Sequence, residues 1–269
     1  MSPEVALIGF GEAGSTFARA GDWRERARAF DVLPLRRKAA EQLGVTAASS
    51  AAEALAEAPL VLSLVTAGQA LAAARDCAPH LAPGALWCDM NSVAPDTKRA
   101  AQRAIEDAGG RYVDAAVLAP VEGAGVTVSL LLAGKGAEEA EQRLAGLGFS
   151  NARVVGAEVG RASAIKMIRS IMVKGIEALC DEMMAAAQAA AVTDEVLASL
   201  DASDKPRPWS ERVAYNRERM ASHGARRAAE MEEVAATLLA LGIEPVMTAG
   251  TVKRQREAAQ SAIRGSKAA

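Results

Sequence analysis

The chain has 269 residues, 51% of them hydrophobic and 24% charged, a composition typical of globular proteins that excludes a disordered or collagen-like chain. Its 31 lysines and arginines nearly balance 33 aspartates and glutamates, giving a net charge of -2, so no excess of positive charge favours nucleic acid as a partner. With 2 histidines and 3 cysteines that form no CxxC pair, the sequence excludes a three-histidine zinc site and argues against a disulfide framework; we expect no metal and a reducing, cytoplasmic location.

Short apolar runs alternate with alanine-rich amphipathic stretches from Glu4 to about Val155. Continuous apolar runs bounded by glycine, proline or aspartate are typical of strands that are buried on both faces of a parallel sheet. The six predicted strands are VALIGF (5–10), ARAFDV (27–32), LVLSLV (60–65), ALWCDM (85–90), YVDAAV (112–117) and VTVSLLLAG (126–134). This rhythm predicts an α/β domain with a Rossmann-like, doubly wound sheet over residues 1–156.

The pattern changes after Gly156, where the strand-like runs end and helical periodicity begins. Residues 158–192 predict one long helix, and the segment SDKPRPWSE (203–211) then interrupts the helical pattern with two prolines. Residues 212–241 and 246–260 predict further helices. The sequence therefore predicts an all-α C-terminal domain over residues 157–269.

A glycine-rich turn directly follows the first predicted strand and precedes a helical stretch. In such a GxGxxG turn the first glycine permits the tight bend, the second lets a pyrophosphate approach the backbone, and the third lets helix and strand pack closely. The free amides at the start of the helix then face the phosphates. We therefore predict a dinucleotide site formed by Gly9, Phe10, Gly11, Glu12, Ala13 and Gly14.

Asp31 ends the second predicted strand, about where an acidic side chain accepts hydrogen bonds from the adenosine ribose hydroxyls. Such a carboxylate repels a 2′-phosphate and so favours NAD over NADP. Arg36 and Arg37 lie a short way further along, where they could instead clamp that phosphate, or could be solvated residues of an exposed helix start. The sequence leaves the choice between NAD and NADP open.

The segment GRASAIKMIRS (160–170) places a lysine among apolar residues at the start of the long predicted helix. At about 100° per residue, Ser163, Lys166, Ser170 and Lys174 share one face of that helix. Taken alone, this stripe also fits a plain amphipathic helix whose charged face lies in water.

Four motifs follow one another in order: the glycine turn, DMNSVAP (89–95), DAAVLAP (114–120) and GRASAIKMIRS (160–170). Together they resemble the β-hydroxyacid dehydrogenase and 6-phosphogluconate dehydrogenase superfamily. The later stretch 223–245 looks like the C-terminal helical domain of a poorly characterised bacterial subgroup of these enzymes. The resemblance covers most of the chain and implies a dinucleotide-binding domain followed by a helical domain that shapes the substrate pocket and forms a homodimer.

The resemblance also implies which residues carry out the chemistry. Lys166 falls on the family's catalytic lysine, which acts as general acid and base toward a substrate oxygen while hydride moves to or from nicotinamide. Ser170 stands where the family has an asparagine, one helical turn after the lysine, so a hydroxyl replaces a longer amide. Both residues are therefore predicted to be catalytic.

Two loops are expected to border the cofactor. Val65 and Thr66 match the loop beneath the nicotinamide ribose. Asn91 and Ser92 match a turn that borders both cofactor and substrate. Asn91 is therefore predicted to contact the cofactor, and both residues of this turn are predicted to contact the substrate.

The predicted substrate loop departs from the family pattern. Where the family has Ser-Gly-Gly, which binds a substrate carboxylate, this chain has Leu118, Ala119 and Pro120. A bulky leucine and a proline without an N–H cannot present the same donors, so the substrate is larger, less acidic or held differently. We predict that Val117 and Leu118 contact the substrate.

Arg226, on a later predicted helix, is predicted to hold a carboxylate or phosphate of the substrate. The same residue also suits an exposed, salt-bridged helix.

The sequence thus predicts an NAD(P)-dependent oxidoreductase that transfers hydride between nicotinamide and a small hydroxy acid or its keto form. The alternatives are an imine or ketone reductase of the same superfamily and a dinucleotide-binding sensor without turnover. No apolar run approaches the roughly 18 to 20 residues of a membrane helix, and the N-terminus lacks a basic stretch followed by an apolar one. We therefore expect a small-molecule substrate, a homodimer, no membrane partner and no processed leader.

Overall fold

A computed structural model describes residues 2–203 and 206–267. The chain divides into two compact units, Met1–Ser170 and Ile171–Ala269. The first turns of the long helix belong to the first unit, where Ala162 packs in one apolar cluster with Ala116 and Leu131. The division into units falls after Ser170, and the domain boundary predicted after Gly156 stays a prediction.

The described part of the first unit forms one eight-stranded sheet, with strand order β3-β2-β1-β4-β5-β6-β7-β8. Strands β1 to β6 pair in parallel, β7 is antiparallel to β6, and β8 is parallel to β7. The strands are β1 (Val5–Ile8), β2 (Ala27–Phe30), β3 (Thr46–Ala47), β4 (Leu60–Ser63), β5 (Leu86–Asp89), β6 (Arg111–Val117), β7 (Leu130–Ala133) and β8 (Ala152–Gly156).

Helices connect these strands and cover the sheet. In the first unit they are α1 (Glu12–Ala20), α2 (Pro34–Gln42), α3 (Ala51–Leu55), α4 (Ala70–Cys77), α5 (Pro95–Asp107) and α6 (Ala137–Gly146). The long helix α7 (Arg161–Ala189) begins in this unit and continues into the second.

Strand β1 shows why the sheet is covered on both faces. Val5 and Leu7 belong to one apolar cluster, and Ala6 and Ile8 belong to another. Because successive side chains of a strand point to opposite faces, the two clusters lie on opposite sides of the sheet. The predicted doubly wound, Rossmann-like fold is confirmed, and its strand order reverses at β1 and β4, where such folds have their ligand crevice.

Three details of the sheet differ from the sequence prediction. Strand β3 has only 2 residues, too few for any periodicity to show, and β8 was missed because none of its residues is fully buried. The run predicted as a strand over 126–134 begins with a 3-10 turn, and only Leu130–Ala133 forms a strand. That strand is antiparallel to β6, whereas the continuous apolar runs had indicated strands of a parallel sheet.

Helices are the only regular secondary structure among the described residues of the second unit, as predicted. It contains the rest of α7 together with α8 (Thr193–Ser203), α9 (Trp209–Ala240) and α10 (Val246–Lys267). The carboxylate of Glu182 in α7 accepts hydrogen bonds from the backbone N–H groups of Met247 (2.7 Å) and Thr248 (2.9 Å), and so satisfies two amides in the first turn of α10. Among the described residues, no helix is both long enough and apolar enough to span a bilayer.

Candidate active site

The three glycines of the turn between β1 and α1 have different surroundings. Gly9 has a φ of +95°, and a Cβ added there would lie 2.5 Å from the carbonyl oxygen of Leu64. A Cβ on Gly14 would lie 2.8 Å from the carbonyl oxygen of Gly9. Beside Gly11, no heavy atom of the described residues lies within 4 Å of the Cβ position. Packing inside the protein therefore requires Gly9 and Gly14, whereas the space beside Gly11 is open to a ligand.

Asp31 follows β2 and ties the glycine turn to the neighbouring strand. Its Oδ2 accepts a hydrogen bond from the backbone N–H of Phe10 (2.8 Å), and its Oδ1 accepts one from the N–H of Leu33 (2.9 Å). A carboxylate has about four acceptor positions, so these two bonds leave room for ribose hydroxyls. Asp31 can therefore both hold the turn and bind a ligand.

The two arginines after Asp31 are not equivalent. The Nη1 of Arg37 donates to the carbonyl oxygen of Asp31 at 2.6 Å, and its guanidinium lies 6.0 Å from the ring centroid of Phe30. Arg36, one residue earlier, is exposed. Arg37 thus stabilises the end of β2, which makes Arg36 the better candidate of the two for a phosphate contact.

A cavity of about 320 Å³ opens at the carboxyl ends of β1, β4, β5 and β6. Its wall includes Lys166 from α7, whose ammonium Nζ donates a hydrogen bond to the Oγ of Ser92 at 2.5 Å. The lining residues that the sequence predicted to be functional are Glu12, Ala13, Val65, Asn91, Ser92, Val117 and Lys166. The remaining lining residues are Leu64, Ala67, Met90, Ala119 and Val121. One cavity therefore joins the predicted cofactor loops to the predicted catalytic lysine.

The side chain of Asn91, a residue that lines this cavity, has an amide oxygen without a hydrogen-bond partner among the described residues. Its Nδ2 donates to the Oδ1 of Asp89 (2.8 Å) and to the Oγ of Ser63 (2.9 Å). Since an ionised carboxylate can only accept, this contact with Asp89 fixes which amide atom is nitrogen. The Oδ1 of Asn91 is buried and has no hydrogen-bond partner among the described residues. Buried polar atoms are normally satisfied, so this oxygen fits a ligand donor such as a carboxamide N–H or a hydroxyl.

Some predicted residues do not line the cavity. The hydroxyl of Ser170 donates to the carbonyl oxygen of Lys166 at 2.9 Å, within its own helix. The carbonyl oxygen of Leu118 accepts a hydrogen bond from the Nη1 of Arg169 at 3.3 Å. Thr66 lies beside the lining residue Val65, and Arg226 lies on α9 in the second unit. The roles assigned to these residues stay predictions.

Residues 4–148 match the family of NAD-binding domains of 6-phosphogluconate dehydrogenase. The chain belongs to this family. Residues 187–258 match a second family, a domain of unknown function designated DUF1932. This pair of matches confirms the resemblance inferred from the ordered motifs.

Solved structures are similar to the chain over nearly its full length. A conserved hypothetical protein from Sinorhizobium meliloti is 38% identical, with 97% of this chain and 89% of that one covered and a TM-score of 0.64. A conserved protein of unknown function, described as structurally similar to 3-hydroxyacid dehydrogenases, is 32% identical, with 97% and 98% covered and a TM-score of 0.63. An imine reductase from Myxococcus stipitatus in complex with NADP+ is 17% identical, with 96% and 95% covered and a TM-score of 0.77, which shows a shared fold.

The chain is therefore a member of the dinucleotide-binding dehydrogenase and reductase superfamily, with an NAD(P)-binding domain. Its own residues fit such a cofactor. The open space beside Gly11 suits a pyrophosphate, the Asp31 carboxylate has acceptor positions left for ribose hydroxyls, and the Oδ1 of Asn91 lacks a donor.

Sequence reasoning missed a buried polar cluster beneath the candidate active site. It consists of Asp89, Lys98, Tyr112, Asp114 and Ser163. The hydroxyl of Tyr112 donates to the Oδ2 of Asp89 at 2.6 Å, and burial, together with this carboxylate, raises the pKa of the tyrosine far above its ordinary value. The sequence did offer one sign of this cluster, because Asp89 and Asp114 stand within otherwise apolar strand runs. Nothing in the sequence of α5 marks Lys98 as buried.

Proposed function

We propose that this protein is an oxidoreductase that moves hydride between the nicotinamide of NAD(P) and a small hydroxy acid or its keto form. The observation that carries the proposal is the position of Lys166. Its ammonium points at Ser92 in a cavity whose wall also contains Val65 and Asn91, from the predicted cofactor loops. A proton donor and the expected nicotinamide position thus meet in one cavity.

In this proposal, Lys166 moves the proton while the bound nicotinamide supplies or accepts the hydride. During reduction, the Nζ of Lys166 donates a proton to the carbonyl oxygen of the substrate, which becomes the product hydroxyl. During oxidation, the neutral amine accepts the hydroxyl proton instead. The Oγ of Ser92 accepts a hydrogen bond from the lysine and so orients its Nζ toward the cavity. No metal is needed to polarise the carbonyl, because the ammonium itself stabilises charge on that oxygen.

The lining of the cavity supports a substrate with an apolar part. Met90, Val117, Ala119 and Val121 line it on the side of β5 and β6. The neighbouring Pro120 has no N–H to offer a carboxylate. This same observation favours the second candidate function, the reduction of imines or ketones, in which Lys166 would protonate a substrate nitrogen or oxygen without a carboxylate to orient it.

We further propose NAD as the preferred cofactor. The carboxylate of Asp31, which follows β2 beside the glycine turn, would repel a 2′-phosphate, and Arg37 is engaged with the backbone at the end of β2. Exposed Arg36 is the residue that would favour NADP.

The homodimer and the cytoplasmic location are proposals as well. The dimer is supported by apolar side chains of α7 that are exposed in a single copy, among them Ile171 and Met172.

The proposal is tested by measuring cofactor binding and turnover separately. NADH and NADPH are titrated by fluorescence into the wild type and Lys166→Ala, and turnover is followed with hydroxy acids, keto acids and cyclic imines. Equal cofactor affinity with a rate loss of about 10² to 10⁴ in the variant supports Lys166 as the acid and base. Cofactor binding by a protein that turns over none of these compounds would instead favour a sensor.

A further inference from the structure

Two buried carboxylates lie side by side beneath the candidate active site. Asp89 ends β5, and the parallel register pairs it directly with Asp114 of β6. Both side chains are fully buried. Two like charges on neighbouring strands repel each other strongly away from water, so the fold must compensate them.

Lys98 of α5 supplies the first compensation. Its side chain is completely buried, and its Nζ donates to the carbonyl oxygen of Asp89 (2.5 Å) and to the Oδ1 of that residue (3.1 Å). The same Nζ lies 3.4 Å from the Oδ1 of Asp114. That oxygen has no hydrogen-bond partner among the described residues, so the ammonium is its compensating charge. One lysine therefore bridges both carboxylates.

The second compensation comes from the start of α7. The Oδ2 of Asp114 accepts hydrogen bonds from the backbone N–H groups of Gly160 (3.1 Å) and Ser163 (3.0 Å). The hydroxyl of Ser163 donates its one proton between this Oδ2 (3.1 Å) and the carbonyl oxygen of Gly160 (3.1 Å). The N-terminus of a helix carries a positive partial charge that favours a carboxylate. Asp114 thus holds the first turn of α7, and Lys166 follows Ser163 by three residues on the same face.

Asp89 holds the other half of the active site in the same manner. Its Oδ1 accepts hydrogen bonds from the backbone N–H of Asn91 (2.9 Å) and from the Nδ2 of Asn91 (2.8 Å). The hydroxyl of Tyr112 donates to the Oδ2 of Asp89 at 2.6 Å. Ser92, the residue that follows Asn91, accepts the hydrogen bond from Lys166. Each carboxylate therefore anchors one of the two segments whose side chains meet in the cavity.

We propose that Lys98 is a positioning residue: by bridging Asp89 and Asp114 it sets the distance between the turn that carries Ser92 and the helix that carries Lys166. Lys98 is buried and does not line the cavity, so it acts through these two anchors. The inference rests on the proposed function in one respect, that Lys166 is the group that moves the proton. A displacement of about 1 Å at such a group can lower a rate by about 10².

The test compares Lys98→Met with Lys135→Met, a matched removal of an exposed lysine from the same unit. Hydrogen exchange is measured for residues 89–94 and 160–166, together with NADH affinity, KM and kcat at a temperature well below both melting points. Lys98→Met is expected to exchange faster in both segments and to lose about 10- to 100-fold in kcat, with KM and NADH affinity changed less than about threefold. Exchange and kcat equal to those of Lys135→Met would overturn the proposal.

A second variant covers the case in which Lys98→Met does not fold. Ser163→Ala removes one hydrogen bond to Asp114 without unpairing a charge, and it should raise exchange in residues 160–166 and lower kcat severalfold while NADH affinity stays the same. Unchanged exchange and kcat in Ser163→Ala would contradict the positioning role. A wild type that binds NADH but turns over no substrate would refute the proposed function, and the exchange data would still decide whether Lys98 holds the two segments.

Discussion

Lys166 and Ser92 are 74 residues apart in the chain, and the ammonium of the lysine donates a hydrogen bond to the serine hydroxyl across 2.5 Å. The serine follows β5 and the lysine lies near the start of α7. This contact joins the two segments on which the proposed proton transfer depends. Substitution of each partner in turn therefore tests the two side chains separately.

Replacing either partner should affect turnover and leave cofactor binding intact. Lys166→Met removes the proton donor and acceptor, so we expect kcat to fall by about 10² to 10⁴. Ser92→Ala removes one hydrogen bond to a charged group, worth about 1.5 to 3 kcal/mol, so a smaller loss of about 10- to 100-fold is expected. Steady-state rates and NADH titration measure both effects, with Lys135→Met as control. A larger loss in Ser92→Ala than in Lys166→Met would reverse the assigned roles.

Gly11 and Gly14 should respond differently to alanine. A methyl group at Gly11 meets no described atom, so Gly11→Ala should cost less than about 1 kcal/mol in the free energy of unfolding. Because that space suits a pyrophosphate, NADH affinity should fall at least about tenfold. A methyl group at Gly14 would lie 2.8 Å from a backbone oxygen, so Gly14→Ala should lower the free energy of unfolding by about 1 to 3 kcal/mol. Urea unfolding and fluorescence titration check the pair, and normal NADH binding by Gly11→Ala contradicts the proposed phosphate position.

Asp31 should set the cofactor preference. Asp31→Ala removes the acceptor for ribose hydroxyls and the charge that opposes a 2′-phosphate. We expect wild type to bind NADH more tightly than NADPH, and the variant to lose at least about tenfold in NADH affinity while NADPH affinity changes little or rises. Arg36→Ala is the companion variant, since it should weaken NADPH binding alone. A wild type that prefers NADPH and loses this preference in Arg36→Ala would assign the cofactor to NADP.

The proposed homodimer should depend on the apolar side chains of α7. Ile171 is 70% exposed in a single copy, so Ile171→Asp should not unfold the isolated chain but should weaken association by burying a charge at the interface. Sedimentation velocity is expected to show a dimer for the wild type and a shift toward monomer for the variant. Leu33→Asp, at another exposed apolar position on the first unit, is the control and should remain dimeric. A wild type that sediments as a monomer contradicts the proposal.

Two buried thiols should make stability depend on alkaline pH. Burial raises the pKa of Cys77 and of Cys88 to about 12, from an ordinary value of 9.0. Above pH 9 the unfolded chain therefore releases thiol protons that the folded protein retains, and the free energy of unfolding falls as pH rises toward 12. In a Cys180→Ser background, a thiol reagent at pH 8 should label no cysteine of the native protein and both after unfolding. Rapid native labelling would show that these thiols are accessible.

Local sequence patterns were enough to predict the fold class and the position of the glycine turn. The continuous apolar runs around Val5–Ile8 and Leu60–Ser63 predicted buried strands because a strand covered on both faces has no polar side to interrupt it. The glycine turn was readable because its backbone geometry admits few other residues. The same local reasoning missed Thr46–Ala47, since a strand this short has no period of its own.

Only the tertiary structure decided which separate segments meet. Sequence spacing could not show that Lys166 reaches Ser92, nor that Arg37 turns to the backbone of Asp31. Nor could it show that Lys98 is buried between two aspartates, because its helix has the charge pattern of an ordinary exposed helix and its partners come from two neighbouring strands. Secondary structure follows from periodicity along the chain, but the environment of a charged side chain depends on elements that are far apart in sequence, and only packing brings them together.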